Sequence, residues 1–152
     1  SLSLVFLIVV FTTGQLASGE PYYKSKSIVM TEMVNETNEL RLRLGLNELN
    51  QSRSLEESAQ NKASDMSQQN YWGHYAPSGQ SYSDYIWQSK PNAVTVGENL
   101  AKCFDDYQSA FDRLVDSPTH YAVLTGNFEY IGVSSVVQED GCESIVMHFA
   151  SN

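Results

Sequence analysis

Residues 130–150 read YIGVSSVVQEDGCESIVMHFA, and they decide the fold. Two runs rich in Val and Ile, 130–138 and 142–150, flank Glu139-Asp140-Gly141, and an Asp-Gly step between such runs predicts a hairpin. Side chains alternate along a strand, so Ile145, Met147 and Phe149 share one face of the second run while Val146 supplies the other. A strand that is apolar on both faces is expected to lie centrally, covered by helices on both sides.

Upstream of this hairpin the periodicity turns helical. Residues 105–116 place Tyr107, Ala110, Phe111 and Leu114 on one face behind acidic first residues that suit a helix N-terminus, and Ser117-Pro118 is expected to stop that helix. Residues 90–98 read as a loop broken by Pro91 and Gly97. Ser81-Tyr82-Ser83-Asp84 starts a short helix expected to carry Tyr85, Ile86 and Trp87 inward. Ser54-Leu55-Glu56-Glu57 reads as a capping box, followed by a small-residue stripe of Leu55, Ala59, Ala63 and Met66 suited to packing under a sheet. From Ile28, the residues Met30, Met33, Thr37, Leu40 and Leu44 recur at three- and four-residue steps, and Gly45 is placed to end that helix. Helices first and an antiparallel sheet late imply an α+β layered domain.

The chain opens with SLSLVFLIVVFTTGQLASG, an uncharged stretch whose apolar core is shorter than the roughly 20 residues that span a bilayer. Followed by Ala17-Ser18-Gly19, it reads as a signal peptide over 1–19 with cleavage before Glu20. This predicts a secreted protein with no stable membrane insertion, a polar lead-in over 20–27 and a single domain over 28–152. All charges lie at or after Glu20, and the net charge of -9 disfavours nucleic acid or an anionic membrane as an electrostatic partner. In an exported chain Cys103 and Cys142 suggest one disulfide, against the alternative of two separate buried thiols. Asn35-Glu36-Thr37 and Asn50-Gln51-Ser52 would accept glycans in a eukaryotic secretory route.

Three segments place ionisable residues beside glycine or proline in expected loops: Gly73-His74-Tyr75, Gly97-Glu98-Asn99-Leu100-Ala101, and Ser117-Pro118-Thr119-His120. In the order His74, GENLA at 97–101, SPTH at 117–120 and FEYIGV at 128–133, the chain resembles the CAP superfamily (cysteine-rich secretory protein, antigen 5 and pathogenesis-related proteins), in its bacterial-type SCP-domain form. The resemblance implies a three-layer α-β-α sandwich with a central antiparallel sheet. It also implies a cleft carrying two histidines and, in many members, two acidic residues. His74, Glu98 and His120 match three of those positions. The fourth falls at Ser117, where bacterial-type members also have Ser, and the helix Trp that precedes it in eukaryotic members is replaced by Leu114.

The chemistry of the set can be argued directly. Two neutral imidazoles and a carboxylate are suitable donors for a divalent metal such as zinc, with a water in the fourth position, although the residues do not form a compact metal signature. A loop histidine is more often solvated or hydrogen-bonded than metal-bound. Glu98 and the Asn99 amide are equally suited to holding the Gly97 turn through backbone hydrogen bonds. Ser117 and His120 raise a nucleophile-base pairing, but no Gly-x-Ser-x-Gly elbow surrounds the serine, and a Ser-Pro helix boundary is the simpler account. His148 reads as a core or sheet-face histidine, and Tyr71, Trp72, Tyr75, Tyr82, Tyr85 and Trp87 read mostly as packing. The resulting expectation is an extracellular binding module whose cleft comprises His74, Glu98, Asn99, Ser117 and His120. No cofactor is required. Its ligand would be a lipid or sterol, a divalent metal or a protein, and related members have been linked to each. The alternatives are a metal-dependent hydrolase built on His74, Glu98 and His120, and a non-catalytic surface or matrix protein.

Overall fold

The computed structural model describes residues 20–152, so the leader and its cleavage point lie outside the described residues. The elements are α1 (Glu20–Arg43), β1 (Asn50–Gln51), α2 (Arg53–Gln68), α3 (Tyr82–Ser89), β2 (Thr95–Lys102), α4 (Tyr107–Asp116), α5 (Pro118–Leu124), β3 (Tyr130–Val137) and β4 (Glu143–Ser151).

The hairpin forms as its sequence dictates, with Gly141 at φ +81° in the turn, a conformation that glycine adopts without steric cost. Strand order is β1-β3-β4-β2, which puts β4 inside the sheet and antiparallel to both neighbours. Ile145, Met147 and Phe149 meet Met33 and Leu40 of α1, Phe111 and Leu114 of α4, and Leu124 of α5. On the opposite face Val146 meets Ala59, Ala63 and Met66 of α2, and Ala150 meets Leu55 and Ile86. The three-layer α-β-α arrangement therefore follows from one doubly apolar strand. The sheet is mixed rather than wholly antiparallel, because β1 pairs parallel to β3 at Asn50↔Tyr130 and Gln51↔Ile131. Two residues of strand leave no periodicity to detect.

That small strand also moves the start of α2. Ser52 donates its amide to Ile131 O as the chain leaves β1, and its hydroxyl accepts from Leu55 N, so Ser52 is the cap. Ser54 falls inside the first turn, and the capping box expected there does not form. A capping box does form at Ser81 and Asp84 of α3. Helix α1 starts at Glu20, upstream of the expected Ile28, since Pro21 is tolerated in a first turn and no breaker follows. Its end is as expected, with Gly45 at φ +73°, so Leu44 falls outside the helix and is 48% exposed.

Two corrections bear on the site. Residues 95–98 are strand rather than loop, and GENLA lies wholly within β2. Gly97 is needed there because a Cβ would press on the Phe128 ring. SPTH forms the start of α5 instead of a connecting turn, with Ser117 ending α4 and Pro118 opening the next helix, where its missing N–H costs nothing.

Gly132 fixes the distance between layers. A Cβ at this position would collide with the backbone of Leu55 and Glu56, so α2 lies directly on β3. Gly132 pairs in register with His148, which pairs in turn with Glu98, and the close approach places α2 over those two side chains.

Candidate functional site

Glu98 is the centre of the site. On β2 its side chain lies on the α2 side of the sheet, 4% exposed, where an unpartnered carboxylate would be costly. Both oxygens are taken: Oε1 is 2.6 Å from His74 Nδ1, and Oε2 is 2.9 Å from His148 Nε2. An ionised carboxylate only accepts, so each of those nitrogens carries the proton. In neutral His148 the remaining Nδ1 is an acceptor, and Ser58 Oγ, 2.8 Å away, donates to it. In neutral His74 the same logic leaves Nε2 with a free lone pair on a side chain that is 46% exposed. A hydrogen-bonded chain thus runs from Ser58 in the interior through His148 and Glu98 to His74 at the surface.

The charges agree with this assignment. Burial pushes the Glu98 carboxyl up, but hydrogen bonds from His148 and His74, together with nearby positive charge including Lys62, hold it below the usual carboxylate range. Burial pushes His148 down, more than its bond to Glu98 raises it, so the ring is neutral and Glu98 carries the charge. The cation that answers Glu98 is Lys62, fully buried on α2. Its Nζ donates to Tyr71 Oη at 3.0 Å and lies over the rings of Tyr71 and Tyr85, 4.7 and 5.4 Å from their centres. Both phenols donate to Asp65 Oδ2 at 2.7 Å.

His120 approaches from α5. Burial lowers its pKa first, and the nearby His74 lowers it further. Asn99 Nδ2 donates to His120 O at 3.0 Å, fixing α5 to β2. Two buried polar atoms at this seam, Asn99 Oδ1 and His120 Nδ1, have no partner among the described residues. Buried polar atoms are rarely left so.

The structure joins His74 to Glu98 and Asn99 to His120, with changed roles. Glu98 and the Asn99 amide do not hold the Gly97 turn; they hold His74, His148 and α5. Ser117 Oγ lies 3.2 Å from Thr119 Oγ1 and makes no bond to His120, so the nucleophile-base pairing does not form. Among the described residues no group of three or more His, Cys, Asp or Glu side chains is gathered to hold a metal ion. Glu98, with both oxygens committed, does not fit as a third ligand. The donor set fits two imidazoles at most.

Sequence reasoning missed Ser58 and Lys62. Their signal was present, since Ser58, Lys62, Ala59, Ala63 and Met66 occupy one stripe of α2, and a lysine inside an apolar stripe implies a buried counter-charge. Ser58, His148 and Glu98 have the order of a hydrolytic triad, but the serine is on Nδ1 and all three are enclosed, with Ser58 and His148 at 0% exposure. The aromatic residues divide: Tyr71 and Tyr85 build the Lys62 cage, and the edge of Tyr82 meets His74 at 5.9 Å. Trp72, Tyr75 and Trp87 are exposed. Trp87 does not point inward: it is 44% exposed, and its indole N–H donates to Ala93 O at 3.1 Å. Cys103 and Cys142 are joined as a disulfide that ties the end of β2 to the hairpin turn.

The model of the cysteine-rich secretory protein family, CAP, matches residues 34–150. The chain is 32% identical over 126 residues to the uncharacterized protein YkwD of Bacillus subtilis (strain 168), a match covering 82% of this chain and 47% of that protein. The chain thus spans about half the length of that curated relative. Among solved structures it superposes on an outer surface protein from Borrelia burgdorferi with a TM-score of 0.76, at 22% identity over 82% of this chain and 93% of that one. It also superposes on an extracellular protein containing an SCP domain from Bacillus anthracis str. Ames, with a TM-score of 0.73 at 23% identity, covering 84% of this chain and 41% of that one.

Proposed function

The chain belongs to the cysteine-rich secretory protein family, and we propose that it acts outside the cytoplasm as a binding module whose ligand sits between His74 and His120. The carrying observation is the commitment of Glu98. A carboxylate that accepts from two imidazoles is a positioning group: it fixes His74 through Nδ1 and leaves Nε2 uncommitted on a half-exposed ring, as carboxylates do behind ligand-binding histidines. The unpartnered Asn99 Oδ1 and His120 Nδ1 supply two further polar atoms at the seam of β2 and α5. This favours binding over hydrolysis, since Glu98 is not free to act as a base and the nearest serine-histidine pair is enclosed.

The extracellular setting is supported by the apolar leader at 1–19 and by relatives described as outer-surface and extracellular proteins. Ligands compatible with the cleft are a divalent cation shared by two imidazoles, a small apolar molecule such as a lipid or sterol, or a protein segment. Calorimetric titration of the metal-free protein with zinc, beside a His74→Ala/His120→Ala variant, tests the first. One ion bound by the wild type and none by the variant supports a cation between the histidines. No binding by either, with both folded, removes the cation and leaves the organic ligands, to be screened against the same pair. A double variant that binds every ligand as the wild type does would overturn the cleft reading altogether.

A further inference from the structure

Strand β2 ends the sheet: one edge pairs with β4, and among the described residues the other carries no strand. Its orientation follows from one bond. Cys103 N–H donates to Glu143 O, continuing the register in which Lys102 opposes Ser144. Antiparallel ladders bond at every second pair, so Gly97, Asn99 and Ala101 turn their amides toward β4, while Leu100 and Lys102 turn theirs outward. Among the described residues, no backbone group beyond the ladder bonds to Leu100 or Lys102. Against that edge lies a groove of about 450 Å³ whose lining includes Trp72, Leu100, Phe104, Leu114 and His120.

The groove also collects positive charge in a chain whose net charge is -9. Five other cations, from Arg41 onward, are engaged elsewhere. Arg41 donates to backbone carbonyls, Arg43 and Arg53 pair with Glu39 and Glu57, Lys62 is buried on Tyr71, and Lys90 lies over the Tyr130 ring. Lys102, with Nζ 5.3 Å from the centre of the Trp72 ring, and Arg113 both line the groove. Neither has a carboxylate partner among the described residues, although Asp116 lies at the α4 end.

We propose that this edge takes an extended acidic peptide segment as an added strand. Its backbone pairs with Leu100 and Lys102, its carboxylates meet Lys102 and Arg113, and its path leads past His120. This rests on the reading of the cleft as a binding site and names the ligand class. A peptide matches the edge because its N–H and C=O groups repeat at the spacing that Leu100 and Lys102 present, which a saccharide does not. Acid matches because the two cations lining the groove have no carboxylate partner.

Fluorescence anisotropy with a labelled peptide of alternating Glu and Val, about six residues long as an ordinary strand is, tests this on the whole protein. The controls are a Lys/Val peptide, Glu/Val peptides N-methylated at alternate residues in each of the two registers, and unlabelled oligogalacturonate as competitor. The acidic peptide should bind, weaken with salt, and lose about tenfold in affinity with Arg113→Ala or Lys102→Ala, the loss of one charged hydrogen bond. One N-methyl register should abolish binding. Equal binding of the acidic and basic peptides, full binding by both N-methylated peptides, complete displacement by oligogalacturonate, or no binding would each overturn the added strand. Both variants are surface changes, so folding is not at risk. Zinc titration of the same samples separates the two readings: zinc retained with no peptide bound overturns the strand alone, and zinc and peptide both retained by the His74→Ala/His120→Ala variant overturn the histidine cleft alone.

Discussion

Glu98 and His148 face each other across the β2–β4 register and are bonded through their side chains, Oε2 to Nε2 at 2.9 Å, in the interior of the sheet. The pair makes the fold and the site one object, since His148 is fully buried while His74, on the other oxygen of the same carboxylate, reaches solvent. Removing the two histidines should therefore have unequal effects. His148→Ala leaves Ser58 Oγ and one oxygen of a buried carboxylate unpartnered, and should destabilise by about 3–5 kcal/mol. His74→Ala should cost under about 1 kcal/mol, because solvent can replace a half-exposed ring. Urea unfolding of both variants checks this; equal losses would contradict the assignment of His148 as the structural partner.

Gly132→Ala tests the approach that places α2 over this pair. A Cβ at 132 meets backbone atoms of Leu55 and Glu56 rather than a flexible side chain, so the helix must move. The expected cost is about 3 kcal/mol or more, in the range of overpacked cores. Because Ser58 lies on the same helix, its bond to His148 should loosen, seen as a shifted His148 ring signal in the NMR spectrum. A variant as stable as the wild type would show that the layers are less tightly set.

The Lys62 cage predicts alkaline behaviour. Burial and the bond to Asp65 push Tyr85 up to about 12 from an ordinary 10.0, and Tyr71 rises in the same direction for the same reasons. Above pH 10 the unfolded chain releases phenol protons that the native state keeps, so stability present below that pH should decline as pH rises toward 12. Tyr85→Phe should cost about 1 kcal/mol at neutral pH and flatten the decline. Unfolding midpoints across this interval, with tyrosinate absorbance recorded in parallel, give the answer; a slope unchanged in Tyr85→Phe would remove Tyr85 from the cage.

How far the sequence carried can be judged from these residues. The face assignment of Ile145, Met147 and Phe149 against Val146 was legible, because a period of two over nine residues has few readings, and the layers follow from it. The resemblance set His74 and Glu98 in one cleft with His120, and the fold bonds the first two to each other. What Glu98 does was not, since its partners sit on β4 and in the 73–75 loop, and only the folded register brings His148 opposite it. The GENLA segment was misassigned to a loop because Gly97 is a breaker locally but a space-maker here, yielding to the Phe128 ring. Ser52 was missed as a cap because the residue that fixes it, Ile131, lies in another strand. Local chemistry loses in each case to a contact distant in sequence.

The disulfide gives a prediction that separates stability from the His74 side of the cleft. Cys103 and Cys142, with Cα atoms 4.9 Å apart, close a loop over a sequence separation of 39. By the chain-entropy account, such a link stabilises by roughly 4 kcal/mol, mostly by restricting the unfolded state. Cys103→Ser/Cys142→Ser should therefore lower the unfolding midpoint without changing the slope against urea by more than the added exposure of the freed chain. The bond lies just past Lys102, at the opposite end of β2 from Gly97 and Glu98, and β2 remains paired to β4 along its length. Zinc binding at His74 and His120 should consequently persist in the folded double variant, while acidic-peptide binding along Leu100 and Lys102 should weaken as that end of the strand frays. Loss of both together would mean that the disulfide holds the whole edge of the sheet, and that the two ligand positions are coupled through β2.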